Sequence, residues 1–419
     1  MENKFAPISI SDRSVFLNHH SAVTSSSIEE INGRKVVVLK VGGGSRHGAI
    51  TAYDADTMKQ SVQLSGKLGI PFLTVLNTSG SDITEGPIGL HVWGSFAGEL
   101  ARLSGVVPTV AIVTGACVSG PSLILGLVDF VITTADAFAY VSGPGSVLEF
   151  TGVSVTKEEI GSPTLLANSG VGSLSAQDED EAIEIFESLL EFLPDNHLCD
   201  IPIIQTDDEK ERETKIARET VPENAQAGYD MHDVLNDVFD LDSVLEIRPT
   251  YAPNMLTCFA LLNGRSVGII ANQPIARAGT IDIEASRKAA RFVSICDAYN
   301  IPIVTFVDTP GFEPGKDLEW RGMIRHGAEL VYAYAQASVP RLCLIIRKSY
   351  GGAYIVMDSK NLGNDWCGAW PTSEIAVMGA SGAVAILNRK EIAACDNEQE
   401  QATCREGLIK EYETKFSNP

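Results

Sequence analysis

An internal repeat is the feature that most restricts what this chain can fold into. Three turn-bounded segments recur after 231 residues, and a fourth recurs after 232. The pairs are Asn32-Gly33-Arg34 with Asn263-Gly264-Arg265, Ile70-Pro71 with Ile301-Pro302, Asn77-Thr78-Ser79-Gly80 with Asp308-Thr309-Pro310-Gly311, and Val107-Pro108 with Val339-Pro340. An offset that varies by only one residue over four separate turns indicates a tandem duplication of a unit of roughly 200 residues.

Within each unit, short apolar runs alternate with longer amphipathic stretches. Residues 71–76 and 109–114 are rich in Val, Ile and Thr, which predicts strands, whereas residues 95–104 and 328–338 have helical periodicity. This alternation indicates an α/β fold. We expect an N-terminal domain over residues 1–204 and a C-terminal domain over residues 249–419. Between them, residues 205–248 are expected to form an acidic linker and the helix that leads into the second domain.

The bulk composition excludes several classes of function. The chain has 32 Lys and Arg against 54 Asp and Glu, a formal net charge of −22, which disfavours nucleic acid as a partner. No apolar run reaches the length of about 18 residues that a membrane span needs. The N-terminus lacks the apolar core of a signal peptide, so we expect a cytoplasmic protein. The seven histidines show no metal-ligand spacing, and we predict no metal site.

Two equivalent glycine-containing turns are the candidate sites of chemistry. In each unit a predicted strand runs into a glycine, Gly120 in the first and Gly352 in the second, 232 residues apart. A helix is expected to follow each glycine, so that its first N–H groups stay unpaired and open to a ligand. Such N–H groups can stabilise a developing oxyanion. A tight strand-to-helix turn without any catalytic role fits the same spacing.

The second unit carries motifs that resemble a known family. They are Asn272-Gln273-Pro274, Cys296-Asp297-Ala298, Phe306-Val307-Asp308-Thr309-Pro310-Gly311-Phe312, Ile324-Arg325-His326-Gly327-Ala328, Tyr350-Gly351-Gly352-Ala353-Tyr354 and Ala369-Trp370-Pro371. The sequence is similar to the carboxyltransferase (β) subunits of biotin-dependent propionyl-CoA, acetyl-CoA and methylcrotonyl-CoA carboxylases. It also resembles the related transcarboxylase and decarboxylase subunits. The resemblance runs from about residue 32 to the end of the sequence.

This resemblance implies the fold and the site. The family fold is a pair of crotonase-like ββα-spiral domains, the first for acyl-CoA and the second for carboxybiotin, with an enolate held by backbone oxyanion holes. Carried over, the catalytic groups would be the N–H groups of Gly352, Ala353 and Gly120. The residues expected to contact substrates are Ser119, Pro121, Gly80, Gly351, Tyr354 and Ile355.

The resemblance also implies partners. The chain has no Met-Lys-Met biotin-attachment signature and no ATP-binding motif. Biotin would therefore be attached to a separate carrier protein, and a separate biotin carboxylase would load it, while a coenzyme A thioester would be the substrate. We expect a homo-oligomer, such as a hexamer, or a hetero-oligomer with a paralogous β subunit.

The first unit departs from the family at the position that would supply a second oxyanion donor. This position is Pro121, and proline has no N–H, although it is a favourable residue at the start of a helix. In addition, Asp82 stands where the family has an arginine, which reverses a charge near the expected coenzyme A side. Three interpretations stay open: an active carboxyltransferase with an altered acceptor, a subunit that depends on a paralogue, and a non-catalytic scaffold. The reverse, decarboxylating direction would use the same site.

Overall fold

The computed structural model describes residues 23–44, 46–209 and 211–417. The chain divides into two compact units. One runs to Leu190 and includes Asp195–Cys199, and the other consists of Glu191–Pro194 and the chain from Asp200 onward. Within the described residues, no helix is long and apolar enough to cross a membrane.

The first unit is built on a seven-stranded sheet with helices packed against it. The sheet order is β1-β2-β3-β4-β5-β7, and β6 pairs with β4 beyond the end of β5. Only the β1–β2 hairpin is antiparallel among these pairings, and the connections between the parallel strands contain helices. The strands are β1 Thr24–Ile31, β2 Arg34–Val41, β3 Phe72–Thr78, β4 Thr109–Val118, β5 Phe130–Thr133, β6 Phe138–Tyr140 and β7 Leu174–Ser175.

The helices of this unit begin and end where local sequence favours it. The first helix starts at a capping box formed by Thr51 and Asp54 and stops at Gly69, which has a left-handed conformation. The second helix starts with Pro87 in its first turn, eight residues before the predicted start at residue 95. The helices are α1 Ala52–Leu68, α2 Pro87–Leu103, α3 Ile124–Leu127, α4 Pro144–Thr151, α5 Lys157–Gly161, α6 Pro163–Asn168 and α7 Glu179–Phe192.

The second unit repeats this plan. Its sheet order is β13-β12-β11-β10-β9-β8, and β14 pairs with β12. The strands are β8 Leu245–Glu246, β9 Met255–Leu262, β10 Arg265–Asn272, β11 Ile303–Thr309, β12 Arg341–Tyr350, β13 Trp366–Ala369 and β14 Glu374–Ala376. The helices are α8 Lys215–Thr220, α9 Met231–Val238, α10 Ile283–Ala298, α11 Lys316–Trp320, α12 Met323–Gln336, α13 Gly351–Val356, α14 Ala380–Leu387, α15 Arg389–Ala393 and α16 Glu398–Phe416.

Residues 205–248, for which the sequence suggests an acidic linker and an entry helix, contain the helices α8 and α9. They lie inside the second unit, and α8 and α9 pack on its sheet. Met231, Val234 and Leu235 are fully buried in an apolar cluster with residues of β9 and β10. The many acidic residues of the segment hide this pattern, because the buried positions of α9 span only two turns of helix.

The two units agree down to individual hydrogen bonds, which confirms the predicted fold class. In the first unit, Ile50 N–H donates to Gly80 O at 2.8 Å, and Asp82 N–H donates to Ile50 O at 2.8 Å. Residues 231 positions later do the same, since Ile281 N–H donates to Gly311 O and Glu313 N–H donates to Ile281 O, each at 3.0 Å. These bonds fix the loop after β3 against the residues that precede α1, and the loop after β11 against the residues that precede α10.

A bulge in the central strand of each sheet is held by one side chain. The β3–β4 register shifts between Leu76 and Thr78, and the β11–β12 register shifts at the equivalent place. Asn77 Oδ1 accepts the N–H of Ala116 in the bulge at 3.1 Å. In the second unit Asp308 Oδ1 accepts the N–H of Lys348 at 3.2 Å, and its Oδ2 accepts Arg347 Nε at 2.9 Å. The side chains therefore satisfy backbone donors that the shifted register leaves without a ladder partner.

We expect the two bulge side chains to differ in their contribution to stability. Asp308 is fully buried and pairs with Arg347, so Asp308→Ala leaves a buried cation without its partner and should cost about 3–5 kcal/mol. Asn77 is exposed, and Asn77→Ala should cost about 1 kcal/mol. Urea unfolding of both variants measures this, with Asp317→Ala, an exposed aspartate, as the control. Equal losses for the two variants would contradict the assignment.

Candidate functional site

The first candidate turn follows β4. Ser119 joins the strand to the 3-10 turn Gly120–Leu123, which continues into α3. Ser119 has φ 61° and ψ −145°, a backbone conformation that residues with side chains rarely adopt. Its N–H donates to Tyr140 O at 2.9 Å, and its carbonyl accepts the Ser122 hydroxyl at 2.7 Å. The turn is therefore fixed on both sides of Ser119.

Two further residues enclose this turn. Gly80, with φ 103°, lies so close that a Cβ there would be 3.2 Å from Val118 O and 3.3 Å from Ser119 Cβ. The indole of Trp93, from α2, covers Gly120, and its Nε1 is 3.5 Å from the place a Gly120 Cβ would take. The structure thus brings together the predicted residues Gly80, Ser119 and Gly120, and it adds Trp93. Nothing in the sequence indicates Trp93, because its position depends on how α2 packs.

Pro121 is buried in the first turn after Ser119. Since proline lacks an N–H, this turn presents the backbone N–H of Gly120 and no second one beside it. In the part of the chain that the structure describes, the Gly120 N–H has no acceptor. The turn is structurally intact, and its donor capacity is half that of a turn with two free N–H groups.

Asp82 is directed into its own loop. Its carboxylate is buried, accepts the N–H and the hydroxyl of Thr84 at 2.9 and 2.7 Å, and forms an ion pair with Arg46. The hydrogen bonds from Thr84, together with Arg46, hold the pKa of Asp82 below its ordinary value. Arg46 therefore neutralises the Asp82 carboxylate, and Thr84 holds it within the loop.

The second candidate turn follows β12. Gly351 has φ 59°, and a Cβ there would be 3.2 Å from Val377 O. Gly352 and Ala353 follow in the first turn of α13, which has no side-chain cap. Their N–H groups have no acceptor within the described residues, as is normal for the start of a helix. The turn therefore has two adjacent backbone donors without a partner, one on the exposed Gly352 and one on the buried Ala353.

Aromatic groups line this second turn. The Phe312 ring lies 3.2 Å from the place a Gly352 Cβ would take, so a side chain there would have to displace the ring slightly. Just before the turn, the Tyr350 hydroxyl donates to Glu374, and burial together with this bond raises the pKa of Tyr350. Tyr354 is half-buried, and burial raises its pKa as well, whereas Ile355 is 51% exposed. Gly351, Gly352, Tyr354 and Ile355 are at least partly exposed at this turn, whereas Ala353 is buried beneath them.

Comparison with known proteins identifies the family. The chain matches the carboxyl transferase domain family over residues 21–419. The chain belongs to this family. It is 41% identical over 392 residues to the propionyl-CoA carboxylase carboxyltransferase subunit of Haloferax mediterranei, covering 93% of this chain and 75% of that protein. It is 39% identical over 388 residues to the methylmalonyl-CoA decarboxylase subunit alpha of Veillonella parvula, covering 92% and 75%.

A solved structure extends the match to the fold. The crystal structure of transcarboxylase 12S, described as a hexamer assembly with methylmalonyl-coenzyme A and methylmalonic acid bound, superimposes with a TM-score of 0.90. It is 38% identical in sequence and covers 95% of this chain and 76% of that chain. The predicted family and the predicted enzyme class, a carboxyltransferase, are confirmed. Among the described residues there is no cluster of His, Cys, Asp and Glu suited to a metal ion.

We expect the first turn to be sensitive to added bulk at Gly80. A methyl group there meets Val118 O and Ser119 Cβ and also forces a side chain into a positive φ, so Gly80→Ala should cost about 3 kcal/mol. Gly33 provides a matched control, since its φ is 72° but no atom lies within 4 Å of an added Cβ. Gly33→Ala should cost about 1 kcal/mol. Urea unfolding would refute the tight contact if both variants lost the same stability.

Proposed function

We propose that this chain transfers a carboxyl group from carboxybiotin on a carrier protein to the α-carbon of an acyl-CoA. The observation that carries the proposal is the duplicated strand-to-helix turn, whose second copy presents two adjacent, unpaired N–H groups at Gly352 and Ala353. Carboxybiotin supplies the carboxyl group in this chemistry. The relatives named as propionyl-CoA carboxylase and as biotin-dependent carboxylase subunits agree with the predicted biotin and coenzyme A thioester.

On the biotin side, the chain acts through backbone donors. The N–H groups of Gly352 and Ala353 would donate to the ureido oxygen of biotin, where negative charge develops as the carboxyl group leaves. The residues present fit such a ligand, since Gly352 has no side chain and the donors have no competing acceptor. Gly351, Tyr354 and Ile355 would contact the bound group. This role assigns residues 249–419 to the biotin side.

On the acyl side, the chain has to hold a thioester oxygen while the α-carbon loses a proton. Gly120 N–H would donate to that oxygen, with Ser119, Pro121 and Gly80 around it, which assigns residues 1–204 to the acyl side. Removal of one donor from an oxyanion hole typically lowers the rate by a factor of about 10²–10³. Pro121 therefore favours a second candidate, a β-like subunit that depends on a paralogue or is itself non-catalytic. A decarboxylating direction is a further alternative, supported by the similarity to the methylmalonyl-CoA decarboxylase subunit alpha of Veillonella parvula.

The proposed partners are the proteins that carry biotin and attach the carboxyl group to it. A biotin carboxyl carrier protein presents biotin to the second unit, and a biotin carboxylase loads it. Transcarboxylase 12S forms a hexamer assembly, which supports a homo-oligomer or a hetero-oligomer with a paralogous β subunit here. We propose a cytoplasmic location, where coenzyme A thioesters are available.

Calorimetric titration with acetyl-CoA, propionyl-CoA and free coenzyme A tests the acyl side. We expect micromolar binding of the acyl-CoA thioesters. Pro121→Ala should change this affinity little, because an oxyanion donor acts mainly in the transition state. The absence of binding by both forms would exclude an ordinary acyl-CoA acceptor. It would leave the partner-dependent or non-catalytic subunit.

Ala353→Pro tests the biotin side. Pro121 occupies the position equivalent to residue 353, so the fold of such a turn tolerates proline, while the second donor disappears. Transfer of the carboxyl group from methylmalonyl-CoA to free biotin, followed as release of propionyl-CoA, should slow by a factor of about 10²–10³. Unchanged thermal unfolding and unchanged acyl-CoA binding serve as controls. A variant with the full rate would rule out Ala353 N–H as a donor.

A further inference from the structure

We infer that the Ser119 hydroxyl donates the second hydrogen bond to the thioester oxygen of the acceptor, in place of the N–H that Pro121 lacks. The inference rests on the proposed function of the first turn. It adds a catalytic side chain to a site that otherwise consists of backbone.

The two units differ in side chain at one position where both have nearly the same positive φ. Ser119 has φ 61°, and Gly351, its equivalent 232 residues later, has φ 59°. Glycine adopts this conformation readily, whereas a residue with a Cβ is strained there. The first unit therefore places a side chain where the duplicated turn does without one. Strain of this kind is typical of residues whose side chain has a function.

The surroundings leave the hydroxyl of Ser119 available. Its backbone is held by Tyr140 O and by the Ser122 hydroxyl, as described above. The residue is exposed, and its Oγ lies 3.7 Å from the place a Gly80 Cβ would take. Across the described residues, no group forms a hydrogen bond with this Oγ. The neighbouring Gly80 has no side chain, so no Cβ of residue 80 lies beside the hydroxyl oxygen.

The Ser119 hydroxyl and the Gly120 N–H belong to consecutive residues of one turn. In strand-to-helix turns with a strained serine, the serine Oγ lies beside the substrate carbonyl, and the N–H of the next residue donates to the carbonyl oxygen. The next residue here is Gly120, whose N–H has no acceptor in the described chain. Side-chain hydroxyls serve as oxyanion donors alongside backbone N–H groups. Ser119 and Gly120 together would restore two donors.

A nucleophilic role for Ser119 is less consistent with the site. A serine nucleophile requires a general base in hydrogen-bond contact with its hydroxyl. No His, Asp, Glu or Lys among the described residues makes this contact. Without a base the proton stays on Oγ, where it can be donated to a negatively charged oxygen.

Three variants test the inference in the transfer of a carboxyl group from methylmalonyl-CoA to free biotin. Ser119→Gly should lower kcat by a factor of about 10²–10³ and raise the midpoint of thermal unfolding, because the donor and the strain disappear together. Ser119→Ala should lose the same rate without the gain in stability. The double variant Ser119→Gly/Pro121→Ala should recover most of the rate, because it restores the backbone N–H.

The possible results separate the inference from the proposed function. A Ser119→Gly variant with the wild-type kcat would overturn the donor role. A double variant no faster than Ser119→Gly would show that Ser119 does not replace the N–H of residue 121. An acyl adduct on Ser119, detected by mass spectrometry during turnover, would replace the donor role with a nucleophilic one. If the wild-type chain itself had no turnover, the proposed function would fail, and this inference with it.

Discussion

The hydrogen bond from the bulged strand to the side chain of Asn77, or of Asp308, is the interaction on which both candidate turns depend. The bulge lets β4 pair first with β5 and then with β6, and lets β12 pair first with β13 and then with β14. The strand therefore extends beyond its neighbours before it turns. Without an acceptor for the displaced N–H, the shifted register would lose a backbone hydrogen bond and would be less stable. The side chain thus sets where the strand ends and where the next N–H groups point.

The two strand-to-helix turns have the same position after the bulged strand, but they differ in the number of backbone N–H groups that can donate a hydrogen bond. Both turns have a positive φ at the equivalent residue, 61° at Ser119 and 59° at Gly351. The second turn keeps glycine there and presents two N–H groups, whereas the first turn combines a serine with Pro121. Proline suits the first turn of a helix and costs the fold nothing there, but it removes a donor. Stability and donor capacity are therefore independent at this position.

The net charge of the chain does not determine the electrostatics of the two candidate turns. The chain is strongly acidic as a whole, and yet the proposed ligands are held by neutral backbone N–H groups, whose partial positive charge does not depend on net charge. Asp82 is an example of a local charge that is balanced locally, because its carboxylate pairs with Arg46 and accepts a hydrogen bond from Thr84 within the loop. The relatives carry names of carboxylase, carboxyltransferase and decarboxylase subunits. Backbone donors that stabilise an oxyanion are suited to all three activities, since each passes through an enolate.

The sequence by itself determined the duplication, the family and the positions of the two turns. Turn residues such as Asn32-Gly33 and Asn263-Gly264 favour a turn through their own backbone preferences. Their repeated spacing can therefore be recognised in the sequence without knowledge of the tertiary contacts. Only the tertiary structure decided that α9 belongs to the core, that Trp93 covers Gly120, and that Asp82 pairs with Arg46. These are contacts between residues distant in sequence or on different faces of an element. These contacts depend on how the elements pack together, and the local pattern of polar and apolar residues does not predict them.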